Sequence, residues 1–378
     1  MILVLNSGSS SVKYQLIDPG DAEGPARAEA VKIENIGEPG SDVRDHEAAL
    51  SRVARDGAVE SAGLTAIGHR VVHGGPRLRA PALITDEVVE QIAAAVPLAP
   101  LHNPANLAGI EWARRWWPDV PQVAVFDTAF HSTIPPAARA YAIDREIAER
   151  HDVRRYGFHG TSTAYVSRVA AGLVGQPDTA NVIVLHLGNG ASASAVSAGR
   201  CVDTSMGMTP LEGLVMGTRS GDMDPAAIFM LIRAGMSPDE VESMLFRRSG
   251  LLGLCGDNDM RAVIARVEAG DQDAALAYNV YCHRLRKYIG AYCAVLGRVD
   301  VIAFTGGVGE NSSLVRSSVL AGLQSLGIRV DPLRNVTATG TRVISTDDSA
   351  VTVAVVPTDE ELEIARETFA IVARTKPQ

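Results

Sequence analysis

Residues 203–225 read DTSMGMTPLEGLVMGTRSGDMDP, a stretch with four glycines, two prolines and no sustained helix or strand period. A connection of this length inside a compact domain is usually functional or disordered, and its Met, Leu and Val residues argue against disorder. Its single cation is Arg219. This arginine is either solvated and paired with Asp222 or Asp224, or a planar donor fork for a carboxylate or phosphoryl group. The stretch therefore suggests that an anion binds here.

The length of 378 residues suggests two domains, or three, and the composition is that of a globular protein. Hydrophobic residues make up 46%, charged residues 21%, and the net charge is −9. No basic stripe offsets this acidic balance, so nucleic acid is not expected as a partner. Small anions can still bind through local arginines and backbone N–H groups.

The four cysteines, Cys201, Cys255, Cys282 and Cys293, form no CxxC pair and no zinc-like cluster with histidine. We expect buried free thiols in a reducing compartment. The short apolar run at residues 2–5 lacks the charged flank of a signal peptide, and no stretch approaches the ~18 apolar residues that span a membrane. The expected location is the cytoplasm, with no membrane partner.

Apolar strands lead into glycine turns at two places that share one pattern. Residues 2–5 precede NSGSSS and a second strand at residues 12–16, and residues 182–196, VIVLHLGNGASASAV, repeat this order. Small hydroxyls and backbone N–H groups in such turns can cradle phosphate oxygens, although plain Ser-Gly hairpins are also common. The repetition indicates duplicated domains whose two hairpins would clamp a polyphosphate.

A third glycine turn, FTGGVGEN at residues 304–311, follows an apolar strand at residues 299–303. This order of strand, glycine turn and helix start lets backbone approach a ribose or phosphate, but a simple tight turn explains the same residues. The helix expected after it carries these apolar residues on one face: Leu314, Val315, Val319, Leu320 and Leu323.

Two charged segments, residues 22–55 and the start of the last helix, have patterns that predict structural roles. Residues 22–55 are weakly patterned and are expected at the periphery. Near the C-terminus, Thr358 and Glu361 fit a capping box at the start of the last helix. Glu360 then remains available to a hydrated metal ion, or it is a solvated first-turn acid favoured by the helix dipole.

Polar residues interrupt three otherwise apolar segments. Arg70 lies in the strand-like run GHRVVHGG, and Asp127 ends a strand in VFDTAFH, where α/β sheets keep their sites. His159, in YGFHGTS, precedes a helix that Thr161 or Ser162 can cap. Taken singly, these residues read as an ion-pair partner, a turn acid and a satisfied core histidine.

Together with Arg219, the three residues supply what phosphoryl transfer requires. That reaction needs cations and neutral donors around three equatorial oxygens, a positioning carboxylate and a metal ion on the phosphates. A nucleotide-driven binding module would need only the hairpins and would leave Arg70, His159 and Arg219 unexplained.

With these residues in hand, the chain resembles the acetate kinase family of the acetate and sugar kinase/Hsp70/actin superfamily over nearly its whole length. The shared motifs, in the family's order, are NSGSSSVKYQL, GHRVVHGG, LAPLHNP, VFDTAFH, GFHGTS, HLGNGAS, the central stretch, FTGGVGEN and TDEELEIARET. The resemblance implies an α/β fold with two duplicated actin-like ATPase (ribonuclease H-like) domains around an interdomain cleft, in a homodimer. It places an acceptor and phosphate domain at residues 1–145, a nucleotide-binding domain at 146–357, and a helix at 358–378 that packs back onto the first.

The resemblance also implies reversible transfer of the ATP γ-phosphoryl group to acetate, giving acetyl phosphate and ADP. Asn6 and Glu360 would hold Mg²⁺, with Mn²⁺ as another possible metal. The acetate pocket implied by the family consists of Val72, Leu101, His102, Phe158 and Pro210, together with Arg70. Related propionate kinases tend to carry alanine in place of this valine, so Val72 favours acetate; a propionate or butyrate kinase is the alternative.

Catalytic and nucleotide roles follow from the same resemblance. Arg70 would bind the acetate or phosphoryl group, Asp127 would act as acid/base or positioning carboxylate, and His159 with Arg219 would stabilise the transition state. The ATP-binding residues would be Ser9, Ser11, Lys13, His186, Leu187, Gly188, Asn189, Gly190, Asp259, Met260, Arg261, Gly307, Val308, Gly309, Glu310 and Asn311. Asn189 would be the key contact at the second hairpin. Residues 255–258, CGDN, depart from the family's glycine-hydrophobic-serine-serine run, which leaves the nucleotide range open.

Overall fold

A computed structural model describes residues 1–8, 11–20, 26–28, 30–37, 41–337 and 339–375, apart from the side chain of residue 61. The first elements are β1 (Ile2–Ser7), β2 (Val12–Asp18), β3 (Ala26–Arg27), β4 (Val31–Ile33), α1 (His46–Ala54), α2 (Gly57–Ser61), β5 (Ala66–Val71), β6 (Ala82–Leu83), α3 (Asp86–Ala94), α4 (Asn103–Trp116) and β7 (Gln122–Phe126). Short 3₁₀ helices lie at Val96–Leu98, Phe130–Thr133 and Gln324–Leu326.

The later elements continue in chain order. They are α5 (Pro136–Arg139), α6 (Arg145–Arg150), α7 (Gly160–Leu173), β8 (Asn181–Leu187), β9 (Ala191–Ser197), β10 (Arg200–Thr204), α8 (Ala226–Arg233), α9 (Pro238–Arg247), α10 (Gly250–Cys255), α11 (Met260–Glu268), α12 (Gln272–Leu296), β11 (Val301–Thr305), α13 (Gly306–Asn311), α14 (Ser313–Leu320), α15 (Pro332–Val336), β12 (Arg342–Val343), β13 (Thr352–Val355) and α16 (Glu360–Thr375).

The chain forms two compact units. The first unit comprises Met1–Ser132, Gly160–Ser162 and the C-terminal segment from Asp359, and the second comprises Thr133–His159 and Thr163–Thr358. The sequence predicted a domain boundary between residues 145 and 146, and this boundary stays a prediction. In the structure, residues 133–145 group with the second unit.

Each unit is built on one mixed sheet, and the two sheets share one strand order. The first runs β3-β2-β1-β5-β7-β6, with β4 also pairing β2, and the second runs β10-β9-β8-β11-β13-β12. In both, an antiparallel hairpin adjoins two further parallel strands and an antiparallel edge strand. The predicted α/β fold with duplicated domains is confirmed.

Both predicted glycine hairpins form. β1 pairs with β2 up to Ser7 opposite Val12, and β8 pairs with β9 up to Leu187 opposite Ala191. The first strand of each hairpin is buried along most of its length, because the sheet is covered on both faces. Each sheet therefore presents a glycine turn at the carboxyl end of its first strand.

Helix α16 packs closely on the first sheet through a glycine. A Cβ atom on Gly68 of β5 would lie only 2.4 Å from Thr368 Oγ1, so no larger residue fits without a shift. Asp359 caps this helix by accepting a hydrogen bond from Leu362 N at 3.1 Å. The N-cap of this helix is therefore Asp359 and not Thr358, the residue that the sequence predicted.

Residues 22–55 are not wholly peripheral. Helix α1 begins after Asp45, whose side chain accepts a hydrogen bond from Ala48 N, and it buries Ala49, Leu50 and Val53 in the core. The apolar residues recur at helical spacing among charged ones, which hides the buried face in a linear reading.

The third glycine turn is itself helical. Strand β11 ends at Thr305 and α13 begins at once with Gly306. In the following helix, Val315, Val319 and Leu320 are buried, but Leu314 is 51% exposed, so the predicted buried face was too wide.

Residues 205–225 form neither helix nor strand, which confirms one long connection between β10 and α8. Its Leu214 and Met216 are fully buried. Over the part of the chain that the structure describes, no helix is long and apolar enough to cross a bilayer, and no disulfide joins the four cysteines.

Candidate active site

Arg70 and Asp127 form a bidentate ion pair at the ends of two neighbouring parallel strands of the first unit. Arg70 Nε donates to Asp127 Oδ1 at 3.0 Å, and Nη2 donates to Oδ2 at 2.7 Å. The parallel register of β5 and β7 brings the two residues to the same sheet edge. Two of the predicted catalytic residues are therefore in direct contact.

Further oxygen atoms surround this guanidinium. Glu360 Oε2 lies 3.7 Å from Arg70 Nε, and Asn6 Oδ1 lies 3.5 Å from Arg70 Nη1. Thr161 Oγ1 lies 3.3 Å from Glu360 Oε2 and 3.5 Å from Asp127 Oδ1. Asn6 and Glu360, the two predicted metal ligands, therefore both lie beside Arg70, and their role as ligands stays a prediction. The sequence prediction treated Thr161 only as a possible helix cap.

Burial and charge act in opposite directions on this pair. Burial raises the pKa of Asp127, and the charge of Arg70 counters that rise. Burial acts to lower the pKa of Arg70, but the carboxylates of Asp127 and Glu360 outweigh it and raise that pKa. Bidentate geometry is typical of an ionised pair, so Arg70 is held as a fixed cation at the strand end.

The first hairpin is braced by neighbouring elements. His46 Nε2 contacts Gly8 O at 2.6 Å, and Gly8 N donates to Ser11 O at 2.7 Å. Lys13 pairs with a carboxylate of α16 at 2.6 Å. Ser11 thus borders the turn as expected, whereas the predicted phosphate contact at Ser9 lies outside the described residues.

Two asparagines of α4 fix the segment that follows Arg70. Asn106 Oδ1 accepts from Val72 N at 3.1 Å, while Asn103 accepts from His73 N at 3.1 Å and donates to His73 O at 3.0 Å. Both asparagines are buried. They were missed as site residues, although a buried amide in a helix start such as HNPAN is a recognisable signal.

The predicted acetate-pocket residues differ in accessibility. Val72 is buried, whereas Leu101 is 49% exposed and His102 precedes α4 as its N-cap. Phe158 and Pro210 belong to the second unit. The pocket as a whole stays a prediction.

In the second unit, His159 precedes α7 in the left-handed backbone conformation, with φ 56°. Its Nδ1 lies 3.0 Å from Ser192 Oγ, and its ring stacks on His186 with centroids 4.3 Å apart. A non-glycine residue in this conformation is uncommon and is found preferentially at functional sites. Because the helix begins at Gly160, Thr161 and Ser162 lie inside its first turn, and the predicted cap was wrong.

Arg219 forms no ion pair with any carboxylate in the described part of the chain. Its Nη1 donates to Pro210 O at 3.2 Å, while the side chains of Asp222 and Asp224 are engaged elsewhere. Burial lowers its pKa. A partly buried guanidinium without a carboxylate is suited to a bound anion, so the interpretation as a solvated ion pair was wrong.

His159 and Arg219 meet at the second hairpin. A Cβ atom on Gly190 would lie 3.5 Å from Arg219 Nη1 and 3.6 Å from the His159 ring. Gly217 N donates to Asn189 O at 3.0 Å, and a Cβ on Gly217 would lie 1.8 Å from Asn189 Oδ1. A larger residue at position 217 would therefore displace the Asn189 amide from its place beside the central stretch.

Half-buried charged side chains hold the central stretch in place. Arg155 Nη1 donates to the carbonyls of residues 204–206, and Nη2 pairs with Glu212 at 2.6 Å. Asp222 Oδ1 accepts from a backbone N–H of the same stretch at 2.8 Å, and its Oδ2 accepts from the Tyr288 hydroxyl at 2.9 Å. Sequence reasoning missed these supports because Arg155 and Tyr288 are distant in the chain.

A cavity of about 720 Å³ lies in the second unit, large enough for a nucleotide. We call it the glycine-turn cavity because residues of the second and third glycine turns line it. The predicted nucleotide residues in its lining are Gly188, Asn189, Asp259, Met260, Arg261, Gly307, Val308 and Asn311.

Other predicted nucleotide residues do not line this cavity. Leu187 is fully buried in β8, and Gly309 is buried in α13. Glu310 Oε1 accepts from Gly306 N at 2.9 Å and from Thr358 N at 3.3 Å, so it has a structural role. His186 instead lies under the His159 ring.

At the cavity rim, Asp259 caps α11 by accepting from Arg261 N at 2.9 Å. Hydrogen bonds from the Arg261 side chain and backbone lower the pKa of Asp259 to about 2. The CGDN segment before it is likewise closed by a hydrogen bond from Asp259 N to Asp257 Oδ1 at 2.9 Å. The departure from the family pattern is thus accommodated in an ordered turn.

A sequence model of the Acetokinase family matches residues 1–366. The chain belongs to the acetokinase family. Among its acetokinase relatives, the acetate kinase of Streptomyces griseus is 59% identical, over 100% of this chain and 97% of the relative. That of Streptomyces coelicolor is also 59% identical, over 99% and 97%.

Solved structures of the acetokinase family have the same fold. Porphyromonas gingivalis acetate kinase matches with a TM-score of 0.91 at 40% identity, over 98% of this chain and 99% of that one. A propionate kinase from Francisella tularensis matches with a TM-score of 0.87 at 41% identity and the same coverage. Acceptor choice therefore does not follow from the fold alone.

Proposed function

We propose that the chain transfers the γ-phosphoryl group of ATP reversibly to acetate, giving acetyl phosphate and ADP. The observation that carries this is Arg219, a partly buried cation with no carboxylate partner among the described residues, beside His159 at a glycine hairpin. Two full-length acetate kinase relatives at 59% identity support the acceptor.

The first unit would supply the acceptor site. Acetate is already ionised at neutral pH, so no general base is needed to activate it. Arg70 is held charged by Asp127 and offers its remaining donors to the carboxylate or to the transferred group. Asp127 would therefore position Arg70 rather than abstract a proton.

The second unit would supply the nucleotide site and part of the transition-state stabilisation. Phosphoryl transfer places charge on three equatorial oxygens, and fixed donors stabilise it without reorganisation. Arg219 and His159 are held by the central stretch and by the start of α7, so they are preorganised for this role. Direct in-line attack requires no phosphoenzyme.

The proposed metal ion is Mg²⁺, held by Asn6 and Glu360. Their amide and carboxylate oxygens suit an ion that takes few protein ligands, keeps several waters and completes its shell with phosphate oxygens. Within the described ranges, no cluster of three or more His, Cys, Asp or Glu forms an all-protein metal site, in keeping with that mode. When bound, Mg²⁺ would neutralise charge on the β- and γ-phosphates. Mn²⁺ has the same preference for oxygen ligands.

One assay tests the proposed function. The protein is incubated with ATP, Mg²⁺ and acetate, propionate or butyrate, and hydroxylamine traps the acyl phosphate as a coloured hydroxamate. We expect the largest kcat/KM with acetate. A larger value with propionate would favour the second candidate, which the Francisella tularensis neighbour raises. ATP hydrolysis without hydroxamate would indicate a nucleotide-driven binding module instead.

Replacing Val72 with alanine is expected to raise the ratio of kcat/KM for propionate over acetate by about tenfold, since one methylene in an apolar pocket is worth ~1–3 kcal/mol. Both substrates are measured on one variant, so a change in stability cancels. Val123→Ala removes the same volume from the core of β7 and serves as the matched control. An unchanged ratio in Val72→Ala would remove Val72 from the pocket.

We propose that the partner is a second copy of the chain, docked through α8. In this helix, Phe229 is 59% exposed and Met230 is 57% exposed, although both are large apolar side chains. Such a patch is typical of a self-complementary dimer face. We also propose a cytoplasmic location, because cysteines without disulfides suit a reducing compartment.

The double substitution Phe229→Asp and Met230→Asp is expected to convert a dimer into monomers, because two carboxylates would be desolvated at the contact. Sedimentation velocity at micromolar concentration measures the change. Leu173→Asp, on the exposed side of α7, is the control and should leave the mass unchanged. A wild-type chain that sediments as a monomer would refute the proposed contact.

A further inference from the structure

Tyr281 lines the glycine-turn cavity and carries a buried hydroxyl that has no hydrogen-bond partner among the described residues. The residue lies on α12, lines the cavity and is only 2% exposed. Within the described residues, its hydroxyl makes no hydrogen bond. Buried polar atoms are nearly always satisfied in folded proteins, so an orphan beside a cavity calls for an explanation.

The other tyrosines of α12 show that this is a local exception. Tyr278 shares a hydrogen bond with Ser318 Oγ at 2.8 Å, Tyr288 donates to Asp222 at 2.9 Å, and Tyr292 lies 3.5 Å from a backbone carbonyl. Among these four, the one tyrosine that lines the cavity is the one without a partner. The missing partner is therefore expected from a ligand.

The chemistry of the cavity indicates which part of a ligand reaches this hydroxyl. Backbone N–H groups of the glycine turns suit phosphates, whereas Leu251, Met260 and Ile264 add apolar lining that suits a flat base. Burial raises the pKa of Tyr281, so the hydroxyl stays neutral and can both donate and accept. A neutral hydroxyl that can donate and accept is better suited to the ring nitrogens and exocyclic group of a purine than to a phosphate anion.

We propose that Tyr281 is a base-recognition residue, whose hydroxyl hydrogen-bonds the purine of a nucleotide bound in the glycine-turn cavity. This rests on the proposed function only in that a nucleotide occupies the cavity. Nothing in the sequence motifs pointed to Tyr281, which lies in the middle of a long, mostly buried helix.

Tyr281→Phe removes the hydroxyl and keeps the ring. Calorimetric titration with ADP should give a Kd about 2- to 12-fold higher than for the wild type, the range for losing one neutral hydrogen bond. Inorganic pyrophosphate, which has no base, should bind both proteins equally. The ligand-free variant should melt at the same temperature or higher, because an unsatisfied buried group is removed.

Tyr278→Phe is the matched control on the same helix. It removes the bond to Ser318 outside the cavity lining, so it should lower the melting temperature and leave the ADP affinity unchanged. An unchanged ADP affinity in Tyr281→Phe, or equal weakening of ADP and pyrophosphate, would overturn the proposal. Wild-type protein that binds ADP but forms no acyl phosphate would refute the proposed reaction and leave this comparison intact.

Discussion

Replacing Arg219 with alanine is expected to lower kcat by about 10³-fold while the KM for ATP changes little, because fixed cations act mainly on transition-state charge. Arg219 pairs with no described carboxylate and donates to Pro210 O. Its removal therefore leaves no carboxylate without an ion-pair partner. We therefore expect the free energy of unfolding to change little. Steady-state kinetics and thermal melting measure the two quantities separately.

Two further variants sharpen the Arg219 test. Arg219→Lys keeps the charge but loses the planar fork, so its kcat should fall between the wild type and alanine. Arg200→Ala removes an exposed arginine of the same unit and should leave kcat unchanged. Turnover close to wild type in Arg219→Ala would exclude transition-state stabilisation by this residue.

Replacing Arg70 with alanine is expected to damage both activity and stability. Loss of a charge-assisted contact to the acceptor should lower kcat/KM for acetate by about 10- to 150-fold. In addition, Asp127 is 1% exposed and would lose its bidentate partner. Removing one member of a buried ion pair costs about 3–5 kcal/mol of unfolding free energy.

A double variant separates these two effects of Arg70. In Arg70→Ala with Asp127→Ala, no unpaired carboxylate remains from the pair, so stability should recover in part while kcat/KM for acetate stays low. Denaturant melts and the hydroxamate assay report the two outcomes. If activity returned together with stability, Arg70 would be a structural residue and not an acceptor ligand.

The fold was largely predictable from sequence because its signals are local. The alternation of apolar strand, glycine turn and second strand at residues 2–16 and 182–196 predicted both hairpins, and the structure has them in sheets of equal strand order. The strand ends at Arg70 and Asp127 were also predictable, because an apolar run that stops at a charged residue marks the edge of a sheet.

Prediction from the local sequence failed at two places. It assigned the last helix cap to Thr358, whereas Asp359 accepts the bond from Leu362 N. It placed residues 22–55 at the periphery, although α1 buries four apolar residues against the first sheet. In both cases the local sequence favours one arrangement by only a small free energy. Packing against the rest of the fold then decides which arrangement forms.

By itself, the sequence determined the duplicated α/β core, the long central connection and membership of the acetokinase family. Only the tertiary structure decided that Arg219 has no carboxylate partner among the described residues while Asp222 and Asp224 are engaged, and that Tyr281 lines a cavity while its buried hydroxyl is unsatisfied. The physical reason is that secondary structure follows from neighbouring residues. Which charges remain available to a ligand depends on partners far apart in the chain.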